Sequence, residues 1–360
     1  MAFEKMKDAD ILQNLTKLHN DKLVSFFPNS QIETFNKNES DSGIQSTIYF
    51  FRIAHTNTSS GDNLVNKLVL KVYDGIISDL LFDPGAYSKI EYEVLLGLQD
   101  SDLYTPRVYA HGGIDNEYFH SPFIVMDFIE GTAFYKYYEK LLANKDIKKI
   151  HLLFDKINLY LVKINSIDYL RFREIFPQAI TDNEKNSYLI HDIGLWKELL
   201  REKDIAEEIF EPLLKWILDY GKNIPLEKYS LVNRDFKLSN FLINQDEEPV
   251  LLDWSISYIT DYRLALGYGL MLIELHNDAH ITKEQFLLSY EKIHNKKLDY
   301  AEFFEAIALI KNLGIQMIIL NRTTEEEFKK DIQKDMKESF TLLQEVSGQL
   351  FPGFESYLQV

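Results

Sequence analysis

Cysteine is absent from this chain of 360 residues. The absence excludes disulfides, zinc–thiolate sites, iron–sulfur clusters and thiol nucleophiles, and it fits a cytoplasmic location. Tryptophan is scarce, with three residues, whereas tyrosine (21) and phenylalanine (24) are plentiful, which indicates an aromatic interior. Positive charge is also in short supply, because 39 lysines and arginines stand against 56 acidic residues and give a formal net charge of −17. Such a chain repels polyphosphates, so we expect no nucleic-acid partner.

Long apolar runs are missing as well. The first eight residues contain no signal-peptide-like stretch, and no uninterrupted apolar run is as long as a membrane span. We therefore expect no membrane partner. Walker-A spacing is absent, which disfavours P-loop chemistry, and the nine histidines show no metal-ligand spacing of the H-E-x-x-H type.

The first third of the chain has the pattern of β-strands around one helix. Residues 45–53 and 68–73 are rich in β-branched and aromatic residues and are bordered by polar loops, which predicts a hairpin. Asp83 followed by Pro84 is typical of a helix start, and apolar residues recur behind it at helical spacing. Two shorter strands are predicted at 107–110 and 123–126.

From about residue 134 onward the apolar spacing is helical, except in 230–260, where short strands or loops are expected at 229–232, 241–243 and 250–253. A strand-rich third followed by a helical remainder is typical of an α+β protein with two lobes. We place the N-terminal lobe at residues 1–127 and the helical C-terminal lobe at residues 128–360. Apolar residues at helical spacing also predict an extra amphipathic helix within the first 30 residues.

The stretch N-R-D-F-K-L-S-N within 230–260 carries the most information about chemistry. It places Asp235 five positions before Asn240, and Asp253-Trp254 follows after 13 more. Phosphoryl transfer needs a carboxylate that orients and deprotonates an acceptor hydroxyl. It also needs hard oxygen ligands for Mg²⁺, which neutralises charge on the phosphates. Asp235 suits the first task, and Asn240 and Asp253 suit the second.

These residues resemble the signature of the aminoglycoside phosphotransferase and choline kinase superfamily, a His-x-Asp-x-x-x-x-Asn loop followed by Asp-Trp or Asp-Phe. Asn233 replaces the family's His, and Ala265 stands where the family has an Asp that braces the loop. The resemblance covers roughly residues 20–275 and implies a protein-kinase-like fold. That fold has an N-terminal lobe with an antiparallel sheet and one key helix, and a larger, mainly helical C-terminal lobe. The implied activity is transfer of the γ-phosphate of Mg·ATP to a hydroxyl of a small molecule, such as a cationic sugar, an aminoglycoside or an amino alcohol.

The resemblance also assigns nucleotide contacts upstream. Lys71, which shares one strand face with Val69 and Tyr73, corresponds to the lysine that contacts the phosphates. Glu91 corresponds to the helix glutamate that pairs with that lysine. Gly43 and Ser46 correspond to the turn that covers the phosphates.

Residues 123–131 resemble the hinge that receives adenine. Carried over by position, the Asp127 carbonyl and the Ile129 amide bond the base, and Met126 forms a wall beside it. Lys237 falls where protein kinases have a lysine that contacts the transferring phosphoryl group, although a surface lysine explains it equally well.

Two alternative functions stay open. An atypical protein kinase is disfavoured because no Ala-Pro-Glu segment follows Asp253, and the chain soon enters a helical pattern. A nucleotide-binding regulator without catalysis is supported only by the departures at Asn233 and Ala265. The oligomeric state and the acceptor also stay open.

Overall fold

The computed structural model describes residues 7–37, 46–56, 62–74, 83–176, 187–205, 207–276 and 280–354. The chain forms two compact units. The first comprises Met1–Glu130 and Leu252–Ile256, and the second comprises Gly131–Leu251 and Ser257–Val360. The boundary expected after residue 127 lies close to the first division, but the sequence does not predict that 252–256 belong with the first unit.

The first unit is built on an antiparallel sheet of five strands in the order β1-β2-β3-β5-β4. The strands are β1 (Gln31–Lys37), β2 (Thr47–Thr56), β3 (Asn63–Val72), β4 (Val108–Gly112) and β5 (Phe123–Asp127), and the helices are α1 (Asp8–Asp21) and α2 (Pro84–Leu98). The predicted hairpin is confirmed, since β2 and β3 pair in one continuous register with Thr47 opposite Val72. The sheet and the helix α2 confirm the expected α+β character of this part of the chain.

The two faces of β2 explain where the core of this unit lies. Tyr49, Phe51 and Ile53 alternate with more exposed neighbours and are almost fully buried, as a period of two requires. The apolar stripe of α1 packs into the same cluster through Leu15 and Leu18. The predicted N-terminal amphipathic helix is therefore confirmed as part of the first unit's core.

Helix α2 begins where the sequence predicts. The Asp83 carboxylate accepts a hydrogen bond from Gly85 N at 3.0 Å, with Pro84 in the first turn. Asp83 thus satisfies one of the backbone donors left open at a helix start, and it fixes the register of α2. That register turns Glu91 inward, where it is fully buried.

The second unit is mainly helical. Its helices are α3 (Phe134–Ala143), α4 (Ile147–Ser166), α5 (Ser187–Glu202), α6 (Glu207–Gly221), α7 (Arg263–His276), α8 (Lys283–His294), α9 (Ala301–Arg322) and α10 (Glu326–Ser347). Short strands complete it: β6 (Gly131–Ala133), β7 (Tyr229–Asn233), β8 (Phe241–Asn244), β9 (Pro249–Leu251) and β10 (Ser257–Asp261). They form a β6-β8-β9 sheet and a β7-β10 pair. Residues 234–240 connect β7 to β8 and end in a single 3-10 turn, Leu238–Asn240.

Helices α7 and α9 approach each other closely at Gly267. A Cβ added to Gly267 would lie 2.4 Å from the Phe304 carbonyl oxygen, so only glycine fits this contact. By length and apolar composition α9 alone, among the described helices, could span a membrane. Its most apolar 18-residue window is 72% buried, so packing within the second unit accounts for its apolarity.

Candidate active site

Lys71 lies at the centre of a buried ion-pair cluster in the first unit. Its Nζ donates to Glu91 Oε2 at 2.7 Å and lies 3.6 Å from Asp253 Oδ2. Strand β3 positions Lys71, helix α2 positions Glu91, and the returning segment 252–256 brings Asp253. The structure thus brings together three of the residues that the sequence predicts for a phosphate and metal site.

The charge balance of this cluster is uneven. Burial tends to lower the pKa of Lys71, but the carboxylates of Asp253 and Glu91 outweigh burial and leave that pKa above its usual value. Lys71 therefore stays cationic. Two carboxylates face this one cation, and Glu91 Oε1 is buried with no hydrogen-bond partner among the described residues. The surplus of negative charge suits an additional cation at the cluster.

Tyr73 is a member of this cluster that the sequence reasoning does not single out. Its hydroxyl donates to the same Glu91 Oε2 that receives Lys71. Burial raises the pKa of Tyr73 well above its usual value, so the hydroxyl stays neutral and can donate. The sequence could have indicated Tyr73, because residues two positions apart on a strand lie on the same face and Tyr73 follows Lys71 by two positions.

Asp253 meets the requirements of a magnesium ligand. Its Oδ1 accepts from Ser255 N at 3.1 Å and from Ser255 Oγ at 2.6 Å, which fixes the orientation of the carboxylate. The side chain is 24% exposed, so the site can admit a hydrated ion. Mg²⁺ in phosphoryl-transfer sites takes only one or two protein carboxylates besides phosphates and water. Among the residues that the structure describes, there is no group of three or more histidine, aspartate or glutamate side chains that could hold a metal ion.

The predicted turn and hinge residues can be placed only in part. Gly43 lies outside the described residues. Ser46 is buried immediately before β2. At the hinge, Met126 and Ile129 are buried. Asp127 N donates to the Arg107 carbonyl at 2.8 Å, so strand pairing already uses that amide. The roles assigned to these residues stay predictions.

The loop between β7 and β8 holds the predicted catalytic residues of the second unit. Lys237 Nζ lies 2.8 Å from Asp235 Oδ2. Asn240 Nδ2 donates to the same Oδ2 at 2.8 Å and to the Asp235 carbonyl at 2.9 Å. Asn233 Oδ1 accepts from Asp235 N at 2.8 Å. The structure therefore brings Asp235, Lys237 and Asn240 together.

The orientation of Asn240 has a chemical consequence. Because its amide nitrogen faces Asp235, its carbonyl oxygen Oδ1 faces away from that carboxylate. An amide oxygen is a hard ligand of the kind that Mg²⁺ accepts. Lys237 is 48% exposed on the side chain, so besides its ion pair it can reach an anionic ligand.

A second group of acidic residues lines a groove of about 690 Å³ in the second unit. Its charged walls are four glutamates and two lysines, namely Glu274, Lys283, Glu284, Lys337, Glu338 and Glu345. Behind this groove Lys283 pairs with the fully buried Glu305 of α9 at 2.7 Å. The surplus of carboxylates favours a cationic ligand.

Glu305 provides a pH-dependent test of this packing. Burial raises the pKa of Glu305 to about 7, although Lys283 lowers it. The folded protein therefore keeps a proton that the unfolded chain loses above about pH 4.5, so stability from this group falls as pH rises through the window from about 4.5 to 7. We expect Glu305→Gln to raise the free energy of unfolding by about 1–3 kcal/mol at pH 8 relative to the parent. At pH 5 the gain should largely vanish.

Denaturant unfolding at both pH values measures this difference. Glu208→Gln is the matched control, because Glu208 is an exposed glutamate of the same unit. An equal gain at pH 5 and pH 8 would contradict the assignment to Glu305.

Comparison with known proteins agrees with this geometry. A family model described as the phosphotransferase enzyme family matches residues 67–280. Among solved structures, aminoglycoside phosphotransferase APH(2'')-Ib with bound ADP has a TM-score of 0.55 at 18% identity, over 94% of this chain and 97% of that chain. An ethanolamine kinase from Plasmodium vivax has a TM-score of 0.59 at 14% identity, over 98% and 91%. Aminoglycoside phosphotransferase APH(4)-Ia also scores 0.59 at 14% identity, over 92% and 98%. A comparison with curated proteins finds no match.

The fold is the protein-kinase-like fold shared by small-molecule kinases, which confirms the fold expected from the sequence. The family match covers more than half of the chain and includes Lys71, Glu91, the 234–240 loop and Asp253. The chain belongs to the phosphotransferase enzyme family.

Proposed function

We propose that this protein transfers the γ-phosphate of Mg·ATP to a hydroxyl of a small cationic molecule. The observation that carries the proposal is the pairing of buried Lys71 with Glu91 and Asp253. A buried lysine that stays cationic is suited to hold the phosphates of a nucleotide. The nucleotides bound in structural neighbours, ADP in APH(2'')-Ib and ATP in a complex of APH(2'')-IIa, support the choice of nucleotide.

When it is bound, magnesium neutralises negative charge on the phosphates. In the first unit Asp253 is the residue that would hold it, and in the second unit Asn240 is the predicted ligand, through its Oδ1 oxygen. The net negative charge of the Lys71 cluster and the fixed orientation of the Asp253 carboxylate support this assignment.

Asp235 is the group that would accept the proton of the acceptor hydroxyl. Its Oδ2 is held by Asn240 and Lys237, which fixes the direction of the carboxylate. Oriented in this way, a carboxylate can align the hydroxyl with the phosphorus atom and remove its proton as the new O–P bond forms. Lys237 would contact the transferred phosphoryl group.

The choice of a cationic acceptor rests on the acidic groove. Helix α7 packs on the catalytic loop, since a Cβ at Gly269 would lie 3.8 Å from the Phe236 ring. Glu274 of the groove lies five residues after Gly269 on the same helix, about 7.5 Å further along the helix axis. Aminoglycoside complexes and an ethanolamine kinase among the structural neighbours support the same class of acceptor.

The experiment is a screen for consumption of Mg·ATP by the purified protein over amino sugars, aminoglycosides and amino alcohols. Matched neutral sugars and carboxylated alcohols serve as the comparison. We expect turnover with at least one cationic acceptor and a phosphorylated product that mass spectrometry detects. Turnover confined to neutral or anionic acceptors would reject the cationic class, and a thermal shift with Mg·ATP but no transfer to any acceptor would reject the enzyme.

A further inference from the structure

The residue that precedes Asp235 is tied into a buried network of charges. The guanidinium carbon of Arg234 lies 3.7 Å from the ring centroid of Tyr258 on β10. Its Nη2 donates to Asp192 Oδ1 on α5 at 3.3 Å. The other oxygen of Asp192 receives Lys311 Nζ from α9. The catalytic loop is thereby linked to three elements that are distant in sequence.

The members of this network depend on one another because they are buried. Asp192 and Lys311 are 3% and 1% exposed. Although burial tends to raise the pKa of Asp192, Lys311 and Arg234 outweigh it and bring that pKa below its usual value. Asp192 is therefore an anion shared by two cations, Arg234 and Lys311.

The side-chain hydrogen bonds that hold Asp235 are local. Asn240 bonds to Asp235 within the loop, and Asn233 bonds to it from the adjoining end of β7. Arg234 instead joins the loop to the helices through Asp192.

We infer that Arg234, held by Asp192 and Lys311, is a positioning residue that fixes the catalytic loop in this chain. Arg234 acts through its neighbour, by holding the backbone from which the Asp235 carboxylate projects. This inference rests on the proposed function, which gives Asp235 its role.

The test compares Arg234→Met with Arg173→Met, an exposed arginine of the same unit. Amide hydrogen exchange over residues 234–240 reports on the loop whether or not the protein is an active enzyme. We expect exchange there to become about tenfold faster or more in Arg234→Met. In the transfer assay kcat should fall about 10–100-fold, because a small displacement of the base is costly, while KM for ATP changes little. Arg173→Met should match the parent in both measurements.

A conservative pair keeps the test decisive if Arg234→Met fails to fold. Arg234→Lys retains the charge next to Asp192 but loses the planar stack on Tyr258, and Asp192→Asn retains the shape but loses the charge. In both variants we expect the amide exchange rate of the loop to lie between the rates of the parent and of Arg234→Met. A matching partial loss of kcat supports the inference. Parent-like exchange and kcat in both variants would overturn it. If the parent transfers no phosphate yet the variants loosen the loop, the proposed function fails and the positioning role stands.

Discussion

Asp235→Ala is expected to lower kcat by about 10²–10⁴-fold, which is the range that a positioned general base contributes. The reason is the geometry of the loop. Asn240 and Lys237 both hold Oδ2 of this carboxylate, and alanine offers neither an oriented oxygen nor a proton acceptor. Nucleotide binding should persist, because Lys71, Glu91 and Asp253 are unchanged. Steady-state kinetics with the acceptor found in the screen, together with a nucleotide-binding titration, measures the two quantities separately.

Asp246→Ala is the control for this variant, since Asp246 is exposed in the turn that follows β8. It should retain the parent's kcat. Unchanged turnover in Asp235→Ala would remove Asp235 from the mechanism. Loss of nucleotide binding in the same variant would show instead that its effect is structural.

Asp253→Asn is expected to lower kcat by about 10²–10³-fold, in line with the loss of one preorganised electrostatic group in a reaction site. Asparagine keeps the shape and can still accept from Ser255, but it removes one of the two negative charges that face Lys71. The apparent affinity for Mg²⁺ should therefore fall along with kcat. A magnesium titration of activity at saturating ATP measures both effects.

Asp102→Asn provides the matched comparison, because Asp102 is an exposed aspartate of the same unit. It should leave the magnesium titration unchanged. If Asp253→Asn showed the parent's magnesium dependence, the metal would have to be held by other groups.

The sequence predicts the Lys71–Glu91–Asp253 cluster because each member has its own local signal. A lysine on an alternating strand, a helix start at Asp83 and an Asp-Trp pair behind a short strand can be recognised separately, and their order along the chain matches the family. The hairpin is predicted by its β-branched and aromatic residues between polar loops, and α2 by Asp83-Pro84 and the helical spacing of the apolar residues behind it. The predicted metal role of Asp253 and the predicted base role of Asp235 await the experiments above.

Other features have no local signal. Strand β1 escapes prediction because its register shifts between Ile32 and Thr34, and such a bulge breaks the alternation by which strands are recognised. Strand β10 is buried along its whole length, so it shows no alternation either. The Arg234 network joins residues that are distant in sequence, and single-chain periodicity carries no information on such a contact.

Because residues 252–256 belong to the first unit, that unit is completed only late in translation. Translation releases Lys71 and Glu91 together with the sheet that surrounds them, so those two can pair early. Asp253 emerges only after residues 131–251 have been synthesised, although it belongs to the unit begun at the N-terminus. A polypeptide interrupted anywhere in between would contain Lys71 and Glu91 without Asp253. Expression of residues 1–130 alone would therefore yield an incomplete ion-pair cluster, and a separately produced peptide containing Asp253 would be needed to complete it.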